Sequence, residues 1–336
     1  MTSIGEAAET ERNLAALWEK ADYVTPLTLR AVSDLGVADR LADGPLPVRA
    51  IAAAVGADED ALRRALQVLA GQGIFAAGPD DTFAHTPMSA LLRSDHPCSA
   101  RETASLHECD IRAWSEVMYS LRTGLSAFEH VYGTDRWSYF DEHAEEGRRF
   151  NARMRSASRR IGRALAESYP WTGSERVVDV GGGNGGLLRE LLVRHPSMTG
   201  HLYDQPSVVA DAAEVLDGVA DRCVVEGGDF FAGVPAGGDV YTLVNVAHDW
   251  PDQRALELLK VIAPHIGDET RLLVVEGVPG HDGAASRSGA LDMHMLVVWG
   301  GKERTYDQWS DLLAQIGLII RRTFRAGPRV VLECGR

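Results

Sequence analysis

The stretch Arg176-Val-Val-Asp-Val-Gly-Gly-Gly-Asn-Gly-Gly-Leu-Leu188 constrains the fold of this chain more than any other. Its apolar run, Val177 to Val180, reads as a buried strand. The glycines after it make a tight turn, and apolar positions from Leu187 to Leu192 then recur at helical spacing. A strand, a glycine turn and a helix in that order leave bare backbone at a helix N-terminus, where a ligand can approach closely. Gly181, Gly183 and Gly186 have the spacing of a dinucleotide-binding turn, and Asp204 follows at roughly the 20-residue interval of a ribose-binding acid. Spacing alone admits two nucleoside cofactors, NAD and S-adenosylmethionine (SAM).

Asp179 separates them. It lies two residues before the first glycine, near the strand end, where a carboxylate would repel a pyrophosphate drawn to the helix N-terminus. SAM has no phosphate and carries an ammonium and a sulfonium, both attracted by an acid there. A third acid arrives in Gly228-Asp229-Phe230-Phe231, after a short candidate strand. Asp229 can accept a hydrogen bond from an adenine amino group, and Phe230 can cover the ring face. Asp179, Asp204 and Asp229, following three successive strands, fit SAM better than NAD.

The region after Trp171 alternates strands with helices. Candidate strands are Val177–Val180, His201–Tyr203, Arg222–Val225, Val240–Val246, Leu272–Val275, Ile319–Phe324 and Val330–Glu333. Seven strands so spaced imply a doubly wound α/β sheet, Rossmann-like, with its ligand at the strand C-termini and the last two strands paired as an antiparallel hairpin. The N-terminal region instead carries helical spacing from about Glu9 to Leu41. Two short helices follow at Pro47–Val55 and Asp58–Leu69, then a hairpin over Gly71–Ala84, a winged-helix pattern. We expect three parts: a winged-helix dimerisation domain over residues 1–103, a helical connector over 104–170 that contributes to the acceptor pocket, and a SAM-binding domain over 171–336. In the connector, Tyr132–Phe140 reads as an aromatic turn. Phe150, Asn151 and Met154 share one helix face, a candidate pocket wall.

A winged helix invites a DNA-binding reading, which charge opposes. The net charge is −14, and the second helix opens with Asp58, Glu59 and Asp60 where a recognition helix places cations and amides. Dimerisation through the N-terminal helices, with Leu14 and Trp18 on the surface, is the better expectation. The same charge opposes an anionic membrane, and no apolar run reaches spanning length. Cys98, Cys109, Cys223 and Cys334 show neither close pairing nor metal spacing, and the first residues lack a basic and an apolar leader segment, so the expected setting is the cytoplasm.

The chemistry is expected in Val244-Asn-Val-Ala-His-Asp-Trp-Pro-Asp252, which puts His248 at the end of the fourth strand. Glu276 ends the fifth strand, and Glu303 lies in the loop Gly300-Gly-Lys-Glu-Arg-Thr305. A histidine flanked by carboxylates from separate loops is a general-base constellation.

Together, Asp179 to Gly185, Asp204, Gly228-Asp229-Phe230, His248-Asp-Trp250, Glu276 and Gly300–Thr305 resemble the SAM-dependent O-methyltransferases of the plant caffeate and flavonoid type and their actinobacterial natural-product relatives. The resemblance runs almost end to end. It implies that SAM is the cofactor, with S-adenosylhomocysteine as product and no metal. Asp179, Gly181 and Gly183 would hold the methionyl part, Asp204 the ribose, and Asp229 with Phe230 the adenine. His248 matches the family's base, and Glu276 and Glu303 the acids that orient it. Met154, Met293 and Met295 fall where the family lines its acceptor pocket.

The chain departs from the plant pattern at two places. It has no basic residue near Val244 to touch the cofactor, and Leu296-Val-Val-Trp299 replaces a more polar stretch, so that Trp299 reshapes the pocket. The implied acceptor is a polyketide-like phenol or naphthol. Arg12, on the first helix, is a candidate partner across a dimer for an acceptor carboxylate. The competing readings are a SAM-binding relative that hydroxylates, decarboxylates or cyclises, and a SAM-responsive regulator on DNA.

Overall fold

The computed structural model describes residues 4–281 and 285–336. The chain divides into two compact units, residues 1–107 and 108–336. In the first, helices Ile4–Lys20, Val24–Asp34, Val48–Val55 and Glu59–Gly71 accompany three short strands, β1 (Leu46–Pro47), β2 (Phe75–Ala77) and β3 (Thr82–His85), in the order β1-β3-β2. Asp58 starts its helix as an N-cap, its side chain accepting from the Ala61 N–H at 2.9 Å. The small core gathers Val32, Leu41, Ile51, Leu66, Leu69 and Phe75.

The second unit opens with helices Glu108–Ser115, Val117–Thr123, Ala127–Tyr132, Arg136–Glu142 and Ala144–Ser168. The segment Tyr132–Phe140, expected as a turn, is two helix ends joined at Gly133–Asp135. Asp135 caps the second helix, accepting from the N–H groups of Trp137 at 2.9 Å and Ser138 at 3.1 Å. Seven strands follow: β4 (Arg176–Val180), β5 (Thr199–Asp204), β6 (Cys223–Gly227), β7 (Val240–Val244), β8 (Arg271–Glu276), β9 (Ile319–Ala326) and β10 (Arg329–Gly335). They form one sheet in the order β6-β5-β4-β7-β8-β10-β9, with β10 antiparallel to both its neighbours.

Alternate residues of the strands serve the two faces. Val178, Val180, Tyr241, Leu272 and Val274 belong to one core, and Val177, Val240, Leu273 and Val275 to the other, which is why the strands read as unbroken apolar runs. The chain runs outward from β4 through β5 to β6, then returns to β7 on the other side of β4. The strand order therefore reverses between β4 and β7, and the C-terminal ends of these two strands flank the crevice where open α/β sheets bind ligands. No helix among the described residues is long and apolar enough to cross a membrane.

Candidate active site

β7 ends at Val244, two residues earlier than its apolar pattern implies, because Asn245 turns the backbone left-handed with φ of 52°. A single 3₁₀ turn, Ala247–Asp249, then carries His248 into a buried position. Glu276, at the end of neighbouring β8, holds this turn. Its Oε1 accepts from the N–H groups of Val246, Ala247 and His248 at 3.1, 3.0 and 3.3 Å. Arg304, fully buried, holds it from outside by donating to the carbonyls of Ala247 at 2.9 Å and Trp250 at 2.8 Å. The Lys302 N–H donates to the His248 carbonyl at 2.8 Å. Gly301 must lack a Cβ, which would collide with that carbonyl oxygen.

The loop so docked delivers Glu303, whose Oε1 lies 2.7 Å from His248 Nδ1; Glu276 Oε2 lies 3.3 Å from the same nitrogen. Asp249 Oδ1 stands 3.5 Å from Nε2. Burial alone would lower the imidazole pKa, but Glu276, Asp249 and Glu303 outweigh it and bring it up to about 9. Burial raises Asp249 to about 7 and raises Glu276 as well. These groups hold their protons jointly. Ligand atoms of His248, Glu276 and Glu303 fall within 4.8 Å of one another, a spacing a cation can use.

His248 and Asp249 line a cavity whose wall also contains Gly181, Gly183, Asp204 and Phe230. Gly181 has φ of 68°, and a Cβ there would fall 2.7 Å from Val246. Asp204 Oδ2 accepts from the Gly183 N–H and Oδ1 from the Gln205 N–H, each at 2.7 Å, while burial pushes its pKa up to about 6. Phe150, Asn151, Met154, Met295 and Trp299 line the same space.

Residues 114–319 match the O-methyltransferase domain family, and residues 18–95 match the O-methyltransferase dimerisation domain. The chain belongs to the O-methyltransferase family. It is 38% identical over 303 residues to a phenazine O-methyltransferase of Lysobacter antibioticus, covering 89% of each chain. It is 37% identical over 322 residues to an 8-amino-8-demethylriboflavin N,N-dimethyltransferase of Streptomyces davaonensis, covering 93% of this chain and 92% of the relative. Among solved structures, an O-methyltransferase from neocarzinostatin biosynthesis, in complex with SAM and 2-hydroxy-5-methyl naphthoic acid, superposes with a TM-score of 0.83 at 31% identity, over 94% of this chain and 97% of that one.

As an O-methyltransferase the chain takes SAM, and the cavity fits such a cofactor. It offers a glycine turn without side chains, a carboxylate in Asp204, and an aromatic face in Phe230. Glu276 and Glu303 stand behind His248 rather than in the cavity wall, and of the residues expected to touch cofactor or acceptor, Asp179, Asp229, Met293 and Arg12 also lie outside it. Asp179 is buried beneath the turn, where Oδ1 accepts from the Thr242 hydroxyl at 2.6 Å and Oδ2 has no hydrogen-bond partner; a Cβ on Gly182 would meet Oδ2 at 2.5 Å. Asp229 is exposed and accepts from the Phe231 N–H at 2.9 Å. Met293 packs against an aromatic cluster. Arg12 is exposed on the first helix, in the other unit.

The cavity also contains residues that pattern reasoning passed over: Trp137, Arg153, Asn245, Asp249, Leu291, His294 and Arg329. Asp249 and Asn245 stood inside the quoted motif and were legible as neighbours of His248. Trp137, Arg153, Leu291 and His294 lie on helices and Arg329 on β10, and they meet through packing that local spacing does not encode.

Proposed function

We propose that this O-methyltransferase transfers the methyl group of SAM to a hydroxyl of an aromatic acceptor, a phenol or naphthol, in bacterial secondary metabolism, with His248 taking the hydroxyl proton. The observation that carries this reading is that His248, tied to Glu303 through Nδ1, faces the same cavity as Gly181, Gly183 and Asp204. SAM supplies a methyl group activated by a positive sulfur, whose charge also opposes an imidazolium nearby. Glu303 keeps the proton on Nδ1, so the neutral ring, the minority form below about pH 9, has Nε2 free to accept another, and the sulfonium charge enlarges that fraction.

An ordinary imidazole, with a pKa of roughly 6.5, is a poor match for a phenol near 10. Flanking carboxylates bring His248 up to about 9, within about one unit of the phenol, where proton transfer is nearly balanced. Glu276, Asp249 and Glu303 then stabilise the imidazolium that results. Asp204 is assigned to the ribose hydroxyls and Phe230 to the adenine face. Phe150, Asn151, Met154, Met295 and Trp299 are assigned to the acceptor, with the methionines adapting to a flat ring.

The test is label transfer from methyl-labelled SAM to a panel of mono- and bicyclic phenols and aryl amines, with fragmentation of the products. O-methylated products support the reading. Label found only on nitrogen overturns the hydroxyl assignment in favour of the chemistry named for the riboflavin relative. His248→Gln should keep S-adenosylhomocysteine affinity while losing on the order of 10² to 10⁴ in rate; a nearly normal rate removes His248 from the base role. The enzyme works as a homodimer, supported by its match to the dimerisation domain, and in the cytoplasm, supported by four free cysteines.

A further inference from the structure

Arg329 lines the cavity, yet no role has been given to it above. It opens β10, whose Val330 stands opposite Glu276 in the antiparallel pairing with β8. Arg329, one residue earlier, therefore lies just past the end of β8, beside the acids that flank His248. Its guanidinium stands 3.9 Å from Glu303 Oε1, and its side chain is 17% exposed while that of Glu303 is fully buried. Gly277 leaves room for the approach: a Cβ there would collide with Glu303 Oε2 and stand 3.0 Å from Arg329 Nη1.

The group around His248 is short of positive charge. Glu276 comes to the ring from β8, Glu303 from the loop Gly300–Thr305, and Asp249 from the ring's own turn. Fully ionised, these acids outweigh a single imidazolium. Oε2 of Glu276 and Oε2 of Glu303 are buried without a hydrogen-bond partner, so no neutral donor offsets the charge at either oxygen. Asp292, on the helix Ala285–His294, adds a further acid by accepting from the Glu303 N–H at 2.9 Å. Of the arginines nearby, Arg304 is paired with Asp252 and Arg136 with Asp110. Arg329 has its charge free for the histidine's acids, and that charge pulls the Glu276 carboxyl down against its burial.

Resting on the base role proposed for His248 and deepening it, we propose that Arg329 is a positioning residue, the counter-charge that keeps Glu276 and Glu303 anionic behind His248 and opposes protonation of the ring before the acceptor arrives. It takes no proton itself and acts through the two acids that hold Nδ1. A positive charge makes every proton of the group easier to lose, whichever site holds it. Removing Arg329 therefore raises the pH at which His248 and its acids give up their first proton.

The test compares Arg329→Met and Arg329→Gln, which delete the charge, with Arg329→Lys, which keeps it. His248 is titrated by nitrogen-15 NMR in protein free of cofactor, its signal identified by its absence in His248→Gln. Both neutral variants should titrate about one pH unit above wild type, and Arg329→Lys close to wild type. Methyl transfer to the best phenol of the panel should follow. Wild type and variants are all mostly protonated at pH 7, so the neutral variants should be about tenfold slower there, with the deficit shrinking as pH passes about 9.

A His248 titration that moves in neither neutral variant overturns the proposal. So does an Arg329→Lys variant displaced as far as Arg329→Met, or a rate loss equal at every pH, which a merely structural arginine would give. Absence of methyl transfer to any phenol by the wild type, with the titration shift intact, would instead count against the reaction and leave the role of Arg329 standing.

Discussion

Asp179 carries an oxygen with no hydrogen-bond partner although the residue is only 1% exposed. Burial raises its pKa from 3.8 to about 7, against the Thr242 hydroxyl, which lowers it. A carboxyl whose folded pKa is raised costs nothing when both states are protonated, below about pH 4, and costs more as pH climbs to about 7. Its full cost is on the order of 4 kcal/mol. Asp179→Asn keeps the Thr242 contact and removes the charge, so the variant should gain thermal stability over wild type at pH 8 and show little gain at pH 4. Equal shifts at both pH values would mean that burial does not penalise this carboxylate. The reward for such a cost is long-range attraction: an anion under the glycine turn favours the sulfonium of SAM, and the variant should lose more affinity for SAM than for S-adenosylhomocysteine. His248 has the opposite sign. Its raised pKa contributes stability that is complete below about 6.5 and lost as pH rises through about 9, which offsets part of what the buried acids cost near neutrality.

Among the elements, the helices ahead of the sheet are joined by a pair that neither helix reveals alone. Arg136 and Asp110 form a buried ion pair, and the guanidinium sits 4.6 Å from the Trp299 ring centre and 4.9 Å from that of Phe140. Burial pushes the Asp110 carboxyl up, but Arg136, with His294 and Arg153 adding to it, brings it below its ordinary value. Arg136→Ala leaves a buried carboxylate alone and should destabilise the protein by about 3–5 kcal/mol, whereas Arg136→Met with Asp110→Leu should recover most of that in urea melts. A double variant no more stable than the single one would show that the aromatic cage needs the cation itself. The sheet was legible because its central strands β4, β7 and β8 are largely apolar runs bounded by turn residues, and the strand order then dictates where His248 and Asp204 stand. The pocket wall was less legible. Met293 and Met295 are two residues apart, about 200° around an α-helix, so they face different ways, and the π turn shifts the register further. Met295 lines the cavity and Met293 does not. Asp229 is exposed outside the cavity wall, and its Oδ1 accepts from the Phe231 N–H in a local turn.

At the scale of the whole molecule, the first helix poses a problem of stability. Residues 6–20 are exposed along their length, with Leu17 at 59% and Trp18 at 70%, and Tyr23 follows at 72%. A helix of this length is marginal in water without tertiary packing, and an apolar stripe of this kind marks an interaction surface. The net charge of −14 argues against nucleic acid or anionic membrane as its cover. A second copy of the chain meets the same apolar stripe with its own, as twofold assembly allows, and the match of residues 18–95 to a dimerisation domain points the same way. Placing charge in the stripe separates this account from one in which the helix matters only within its own chain. Leu14→Glu with Trp18→Glu should convert the protein from a dimer to a monomer of 36.4 kDa by light scattering, while its exposed positions leave the cores of both units, and the melting of the second unit, unchanged. A dimer that persists in the double variant places the interface elsewhere, and a wild-type protein that is monomeric at micromolar concentration leaves the stripe without its partner.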